Sequence, residues 1–208
     1  MHERTLIKEC KRYNKLAQKE LYEKYANILR GVCARYTPCS DDAEDLLHEC
    51  FIKIFANIKK FAWKGEGSLK GWMIRIVVNT AITNYNKNRR RKHELDYENI
   101  QETKILDNES EEINIDPEYD IADIDPDKID YELVKDAEFT EADMLDTLNM
   151  IPEGFRVVFN LHIVEGYKHE EIAKMIGIET KTSRSRLSRA RKLIQFELYQ
   201  MTIKKMGK

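Results

Sequence analysis

The chain predicts an all-α protein of two small helical domains joined by a long acidic linker, on three observations. Apolar residues recur at steps of three and four along most of its length, the signature of helices that each bury one face. Turn formers are scarce, with 8 glycines and 4 prolines in 208 residues, and no β-branched runs alternate with turn signals. Charge is segregated: the net charge is only -2, yet 21 acidic and 3 basic residues fall between Glu94 and Asp146, leaving 16 acidic and 32 basic elsewhere. The expected boundaries are residues 1–93, 94–138 and 139–208. Two basic bodies on an acidic strap point to a polyanionic partner.

The first helix carries Leu16, Leu21, Tyr22, Tyr25, Ile28, Leu29, Val32 and Tyr36 at helical spacing. The segment TPCSDD ends it, and Asp41 is placed to cap the next helix, with Glu44 three residues on as in a capping box. That second helix has a doubled stripe of Leu46, Leu47, Cys50, Phe51, Ile54, Phe55 and Ile58, enough to bury one face. Asp45, His48, Glu49 and Lys53 occupy its other side. KGEGS is a turn, after which Ser68 is expected to cap a long helix with Trp72, Met73, Ile76 and Val77 on its apolar side. This helix ends in Lys87, Arg89, Arg90, Arg91 and Lys92. Cations at a helix C-terminus are favourable in any protein, by about 0.3–1 kcal/mol each, so the cluster alone does not specify nucleic acid.

The acidic tract reads as an extended, mostly disordered linker, because its like charges repel and its isoleucines keep no period. Within it, DIDPDKID fails as a calcium loop: Lys128 stands where glycine is required and Val134 where the bidentate glutamate belongs. Helical spacing resumes after the linker. Pro152 suits a first helical turn, and Phe155, Val158, Phe159 and Leu161 are expected in the core. Then EEIAKMIGIETKTSRSRLSRARKL has helix-turn-helix form. Ile172, Ala173 and Ile176 pack inward, Gly177 permits a tight turn, and the second helix starts near Thr180 with Leu187 and Leu193 inward. Lys181, Arg184, Ser185, Arg186 and Arg189 then project outward, and guanidinium groups grip phosphates or read guanine edges.

Cys10, Cys33, Cys39 and Cys50 form no CxxC pair and read as reduced thiols. No apolar run approaches the roughly 18 residues that cross a bilayer, and MHERTLIKEC is not a signal peptide. A cytoplasmic protein without membrane insertion is therefore expected. No His/Asp/Glu cluster has metal spacing, so neither a metal, a cofactor nor an enzymatic activity is expected.

DDAEDLLHECFIKIF, then GEGSLKGWMIRIVVNTAI, then a basic end resemble region 2 of bacterial sigma factors of the extracytoplasmic-function (ECF) class. IPEGFRVVFNLHIVEGYKHEEIAKMIGIETKTSRSRLSRARKL resembles region 4 of the same family. The resemblance implies a transcription initiation factor that binds core RNA polymerase through the β′ clamp helices and the β subunit, and that recognises promoter DNA. It implies clamp-facing roles for Asp45, His48 and Glu49. It implies −10 roles for Gly65, Glu66, Gly67, Ser68, Asn79, Thr83, Arg89 and Arg90, and −35 roles for Lys181, Arg184, Ser185, Arg186 and Arg189. Phe61, Trp63 and Trp72 are candidate stacking surfaces for exposed bases. An anti-sigma factor is a further implied partner, and the acidic tract resembles the linker between regions 2 and 4, which threads the polymerase toward the RNA path. Thr83, Ser183 and Lys168 depart from the family pattern, standing where Asp or Asn, an aliphatic residue, and a capping Ser or Thr are usual. Gly154 loosens its helix by up to about 1 kcal/mol. The alternative is a helix-turn-helix repressor or activator acting on duplex DNA without being a polymerase subunit.

Overall fold

The structure, a computed structural model, describes residues 2–100, their side chains as far as Lys92, and residues 129–207. Every regular element among them is helical, and none of their helices is long and apolar enough to cross a membrane. The chain divides into two compact units, Met1–Thr83 and Asn84–Lys208.

The first unit opens with a helix that the sequence reading passed over. α1 spans Glu3–Lys11 and buries Leu6, Ile7 and Cys10. Three apolar residues over two turns are too few to show a period, so only packing reveals it. Tyr13 follows in a left-handed conformation, φ 61°. The Asn14 side chain then accepts hydrogen bonds from the Leu16 and Ala17 N–H groups, capping α2, Lys15–Ala34. Ala17, Leu21, Tyr25, Ala26, Leu29, Val32 and Cys33 form its buried face. Leu16 and Ile28, expected in that stripe, are instead 76% and 40% exposed. The true stripe is shifted by one position at Ala17, because α2 is packed on two sides.

α3 spans Ser40–Asn57, with Cys39 rather than Asp41 at its N-cap position. Asp41 and Asp42 lie in the first turn, where a carboxylate still opposes the helix dipole. Its buried face is Ala43, Leu46, Leu47, Cys50, Phe51 and Ile54, as the doubled stripe predicts. The Tyr22 and Phe51 rings lock α2 to α3 with centroids 4.6 Å apart. A 3-10 turn, Ile58–Lys60, leads out of α3. α4, Ser68–Ile100, contributes Leu69, Met73, Val77 and Val78 to this core, each at most 1% exposed.

The second unit is organised on α9, Thr180–Lys205. Before it come α5, Tyr131–Asp136, α6, Glu141–Met150, α7, Glu153–Phe159, and α8, His169–Ile176. α6 carries a reciprocal capping box: Asp143 N–H donates to Thr140 Oγ1 at 3.1 Å and Thr140 N–H to Asp143 Oδ2 at 2.8 Å. Leu148, Ile151, Phe155, Ala190, Leu193 and Ile194 form the core, with Phe159 and Leu198 against it. Pro152 sits one residue before α7, at its N-cap, rather than in its first turn. A π-helical turn, Asn160–Val164, follows α7.

The centre of the tract read as a disordered linker, residues 101–128, lies outside the described residues. At both ends of that tract helix replaces the expected extended chain. α4 runs on to Ile100, since adding a residue to an existing helix is far easier than nucleating one. α5 is held by Asp130, whose carboxylate accepts from Leu133 N–H at 3.1 Å.

Leu47 is fully buried on α3, whereas Ile52 on the same helix is 70% exposed. Leu47→Ala should therefore lower the stability of the full chain by about 2–5 kcal/mol, and Ile52→Ala should change it by no more than about 0.5 kcal/mol. Chemical denaturation followed by circular dichroism measures both, and similar effects would show that the face assignment is wrong.

Candidate nucleic-acid interface

α3 turns a polar strip away from the core. Asp45 and His48 are exposed and Glu49 is partly so, as their spacing opposite the apolar stripe requires. Glu49 is engaged by Lys53 at 2.7 Å, and the Lys53 ammonium also donates to Thr80 Oγ1 at 3.3 Å. Ile52 is a residue of this strip that sequence reasoning missed, because an isoleucine in a helix is expected inside. It lies one turn beyond His48 and is 70% exposed, so the strip offers an apolar contact as well as charge.

The turn before α4 is built from glycine and serine. Gly65 and Gly67 adopt φ 126° and 79°, values that a side chain disfavours. Ser68 does not cap α4 as expected; it is the first helical residue. Its hydroxyl donates to Gly65 C=O at 2.6 Å and accepts from Lys64 N–H at 3.2 Å, closing the turn on itself. Glu66 is exposed at the tip. Asn79 and Thr83 lie one turn apart and exposed on α4, with Thr83 Oγ1 donating back to Asn79 C=O at 2.8 Å. That bond occupies the Thr83 hydroxyl proton and leaves its oxygen as an acceptor. Of the three candidate stacking rings, only Trp63 is open, at 39% exposure. Phe61 is buried, and Trp72, partly buried, packs on it with centroids 5.0 Å apart, so these two rings are engaged with each other.

In the second unit, α8 ends at Gly177 with φ 64° and ψ 52°, the left-handed turn that redirects the chain into α9. Lys168, at the start of α8, has no acceptor to offer as a cap. Its own N–H donates to the Glu171 carboxylate at 2.8 Å. Ser183, where an aliphatic residue is usual, is fully buried and bonded to His169 Nδ1 at 2.9 Å. His169 stacks on His162 with centroids 4.3 Å apart, and His162 Nδ1 meets Tyr167 C=O at 2.9 Å. The buried hydroxyl is thus satisfied by a polar strut that joins α9 to α8 and the turn before it.

The outer face of α9 divides in two. Lys181, Arg184 and Ser185 are exposed, as is Ser188, one turn on from Arg184 and Ser185. Ser188 went unnoticed in the sequence because serine is common on any solvated helix. Arg184 pairs with Glu170 at 3.1 Å, both side chains about 60% exposed, a contact worth at most about 1 kcal/mol and easily exchanged for phosphate. Arg186 and Arg189 are half-buried on the flank instead. Arg186 Nη1 donates to Tyr85 Oη at 3.2 Å. Gly154 permits this approach, because a Cβ there would lie 3.2 Å from Arg186 Nη1 and 3.3 Å from Tyr85 Oη. Arg89 is also half-buried and donates to Gly177 C=O at 3.3 Å, whereas Arg90 is exposed.

Two family models match successive parts of the chain. A family model described as Sigma-70 region 2 matches residues 21–91, and one described as Sigma-70, region 4 matches residues 141–194. The chain is 29% identical over 196 residues to the ECF RNA polymerase sigma-E factor of Haemophilus influenzae, covering 93% of each chain. It is 27% identical to the RNA polymerase sigma-H factor of Pseudomonas aeruginosa, over 92% of this chain and 91% of that one. It is 26% identical to the ECF RNA polymerase sigma-E factor of Escherichia coli K12, over 92% of each.

Desolvation, then the neighbouring His162 and Arg184, lower the pKa of His169 below the ordinary histidine value, against a smaller opposing effect of Glu170. The folded state therefore holds this proton less tightly than the unfolded state. Its contribution to stability is complete above the unfolded pKa of about 6.5 and is lost as pH falls below it. The denaturation midpoint of the second unit should drop between about pH 7 and pH 5. His169→Gln, which keeps a partner for Ser183, should flatten that slope, and an undiminished slope in the variant would refute the assignment.

Proposed function

The chain belongs to the ECF class of bacterial RNA polymerase sigma factors, and from that membership we propose how its residues divide the work of directing the polymerase to promoters. The carrying observation is that the two family matches fall in order, the region 2 match on residues 21–91 and the region 4 match on 141–194. A repressor acting on duplex DNA alone would have no need of the first.

The exposed strip Asp45, His48, Glu49 and Ile52 is the polymerase-docking face. Its carboxylates suit basic residues of the clamp helices, and Ile52 supplies an apolar anchor. A partly exposed ion pair such as Glu49–Lys53 costs little to rearrange. The turn at Gly65–Ser68 and the Asn79–Thr83 face of α4 meet the −10 element, where the left-handed glycines let backbone approach an extruded base. Arg90 adds a cation for the phosphate backbone, and Arg89 does so on exchanging its bond to Gly177. Lys181, Arg184, Ser185 and Ser188 enter the major groove of the −35 element. Arg186 and Arg189, on the flank of α9, are placed for the backbone rather than for base edges.

An anti-sigma factor and the β and β′ subunits are the expected partners, and the cytoplasm the expected place of action. No step here makes or breaks a covalent bond: the chemistry is recognition, and catalysis belongs to the polymerase.

Run-off transcription with purified core polymerase, followed by mapping of start sites, tests the whole reading. Specific transcripts are expected only when this chain is present. Asp45→Lys combined with Glu49→Lys should abolish capture of core polymerase while circular dichroism stays unchanged; retained capture would refute the docking face. Arg184→Ala should weaken promoter binding by about 1–3 kcal/mol. Arg186→Ala should do so by less, and the opposite order would reverse the division of α9.

A further inference from the structure

We propose that the strut of His162, His169 and Ser183 couples −35 binding to uptake of a proton at His169, so that affinity for the promoter rises as pH falls, a coupling that rests on the −35 reading above and reaches beyond its base-facing residues.

Two ties join the start of α8 to the start of α9. One is buried: Ser183, fully enclosed, meets His169 Nδ1 at 2.9 Å. The other is exposed: the Glu170 carboxylate pairs with Arg184 at 3.1 Å. His169 and Glu170 are consecutive, as are Ser183 and Arg184. The half-buried imidazole of His169 therefore lies beside a pair whose arginine is assigned to DNA. The ring also stacks on His162, with centroids 4.3 Å apart and planes at 15°. His162 Nδ1 meets Tyr167 C=O at 2.9 Å and must carry a proton there, since a carbonyl only accepts.

The groups around His169 hold it neutral in the free chain. It is the first residue of α8, where the helix dipole opposes a cation. Desolvation, then His162 and Arg184, and also Arg191, disfavour the imidazolium, against an opposing effect of Glu170. Of the other charged groups at the start of α8, Lys168 is exposed, and the Glu171 carboxylate accepts from the Lys168 N–H at 2.8 Å.

A bound −35 duplex reverses this balance. Arg184 leaves Glu170 for DNA, which frees a carboxylate one residue from the ring, and the phosphates bring further negative charge. Both favour the charged imidazole. The tie to Ser183 does not resist, because a hydroxyl donates to the neutral ring or accepts from the charged one. The bound state therefore holds the proton more tightly than the free state. Binding takes up as much as one proton and strengthens as pH falls toward the free-chain pKa, which lies below the histidine value of 6.5. The same proton lowers the stability of the free chain, so loss of folding alone would weaken binding in acid rather than strengthen it.

Holoenzyme is assembled with wild-type chain, His169→Gln, His162→Gln, Ser183→Ala or Arg184→Ala. Binding is measured from about pH 8 to about pH 6 at constant ionic strength. The two DNA fragments are one mapped promoter and the same promoter with its −35 element scrambled. Wild-type affinity for the intact fragment should rise about threefold to tenfold over that range, and for the scrambled one by less than about twofold. His169→Gln, whose amide keeps a partner for Ser183 without titrating, should lose the rise. His162→Gln and Ser183→Ala should keep it, since the titrating ring remains, and Ser183→Ala should bind more weakly at every pH.

An undiminished rise in His169→Gln would overturn the assignment. An equal rise on the scrambled fragment would do the same, marking a general response of a basic surface. A wild-type affinity that is flat or falls toward acid would overturn the coupling, and this profile reads it even if His169→Gln fails to fold. Unchanged promoter binding by Arg184→Ala would place the failure in the −35 reading, and the coupling falls with it. A loss in Arg184→Ala beside a flat wild-type profile would leave that reading standing and remove only the coupling.

Discussion

Each helix here must remove one stripe of apolar side chains from water, and the faces that carry function are those the stripes leave over. Leu21 and Leu29 of α2, Leu47 and Ile54 of α3, and Leu69 and Met73 of α4 are all fully buried. Each contributes on the order of 1.5–3 kcal/mol through burial. Once Leu47 and Ile54 are committed inward, α3 has no rotational freedom left, and Asp45, His48 and Ile52 must point outward. In the second unit α9 plays the same part. Leu187, Leu193 and Ile194 turn inward, and Lys181, Arg184, Ser185 and Ser188 are what remains.

Polar groups refine what the stripes set. Helix α9 buries a serine at position 183, where a hydroxyl without a partner would cost about 1–3 kcal/mol. The bond to His169, backed by the stack on His162, removes that penalty and adds a directional tie across the turn at Gly177. The price is sensitivity to acid, because desolvation and the neighbouring His162 and Arg184 disfavour the charged form of His169. Ser68 shows the same economy in the first unit. Its hydroxyl is used twice to close a turn whose glycines have left-handed backbone, leaving α4 with Gly67 rather than a side chain at its entry.

Charge is placed by a different logic. Exposed ion pairs such as Arg184–Glu170 and Glu49–Lys53 add little stability, but they hold long side chains at the surface in a form that a polyanion or a basic partner can take over. Arg186 and Arg89 are placed otherwise, spending donors on Tyr85 and on the Gly177 carbonyl. The α1 stripe of Arg4, Lys8 and Lys11 is a third arrangement: the three line one pocket with Trp63, where Arg4 stands over the ring and Lys11 donates to the Phe61 carbonyl.

Periodicity, turn chemistry and charge were enough to read the helical class, the helix-turn-helix and its left-handed Gly177, and the polar strip of α3, because each depends on residues a few positions apart. The segregation of charge into basic bodies and an acidic tract was equally legible, being a property of composition. Helix α1 was not legible, since nine residues with three apolar positions fold only by packing on α2. Nor was the choice among aromatics: Phe61 and Trp72 found each other and left Trp63 open, a decision made between elements. The caps expected at Asp41 and Ser68 were misread because a capping side chain competes with partners that only the folded loop presents. Arg186 and Arg184 are two residues apart in one basic run, and no local rule separates them. A glycine at position 154 and a tyrosine at position 85 do so, by admitting one guanidinium and leaving the other in water.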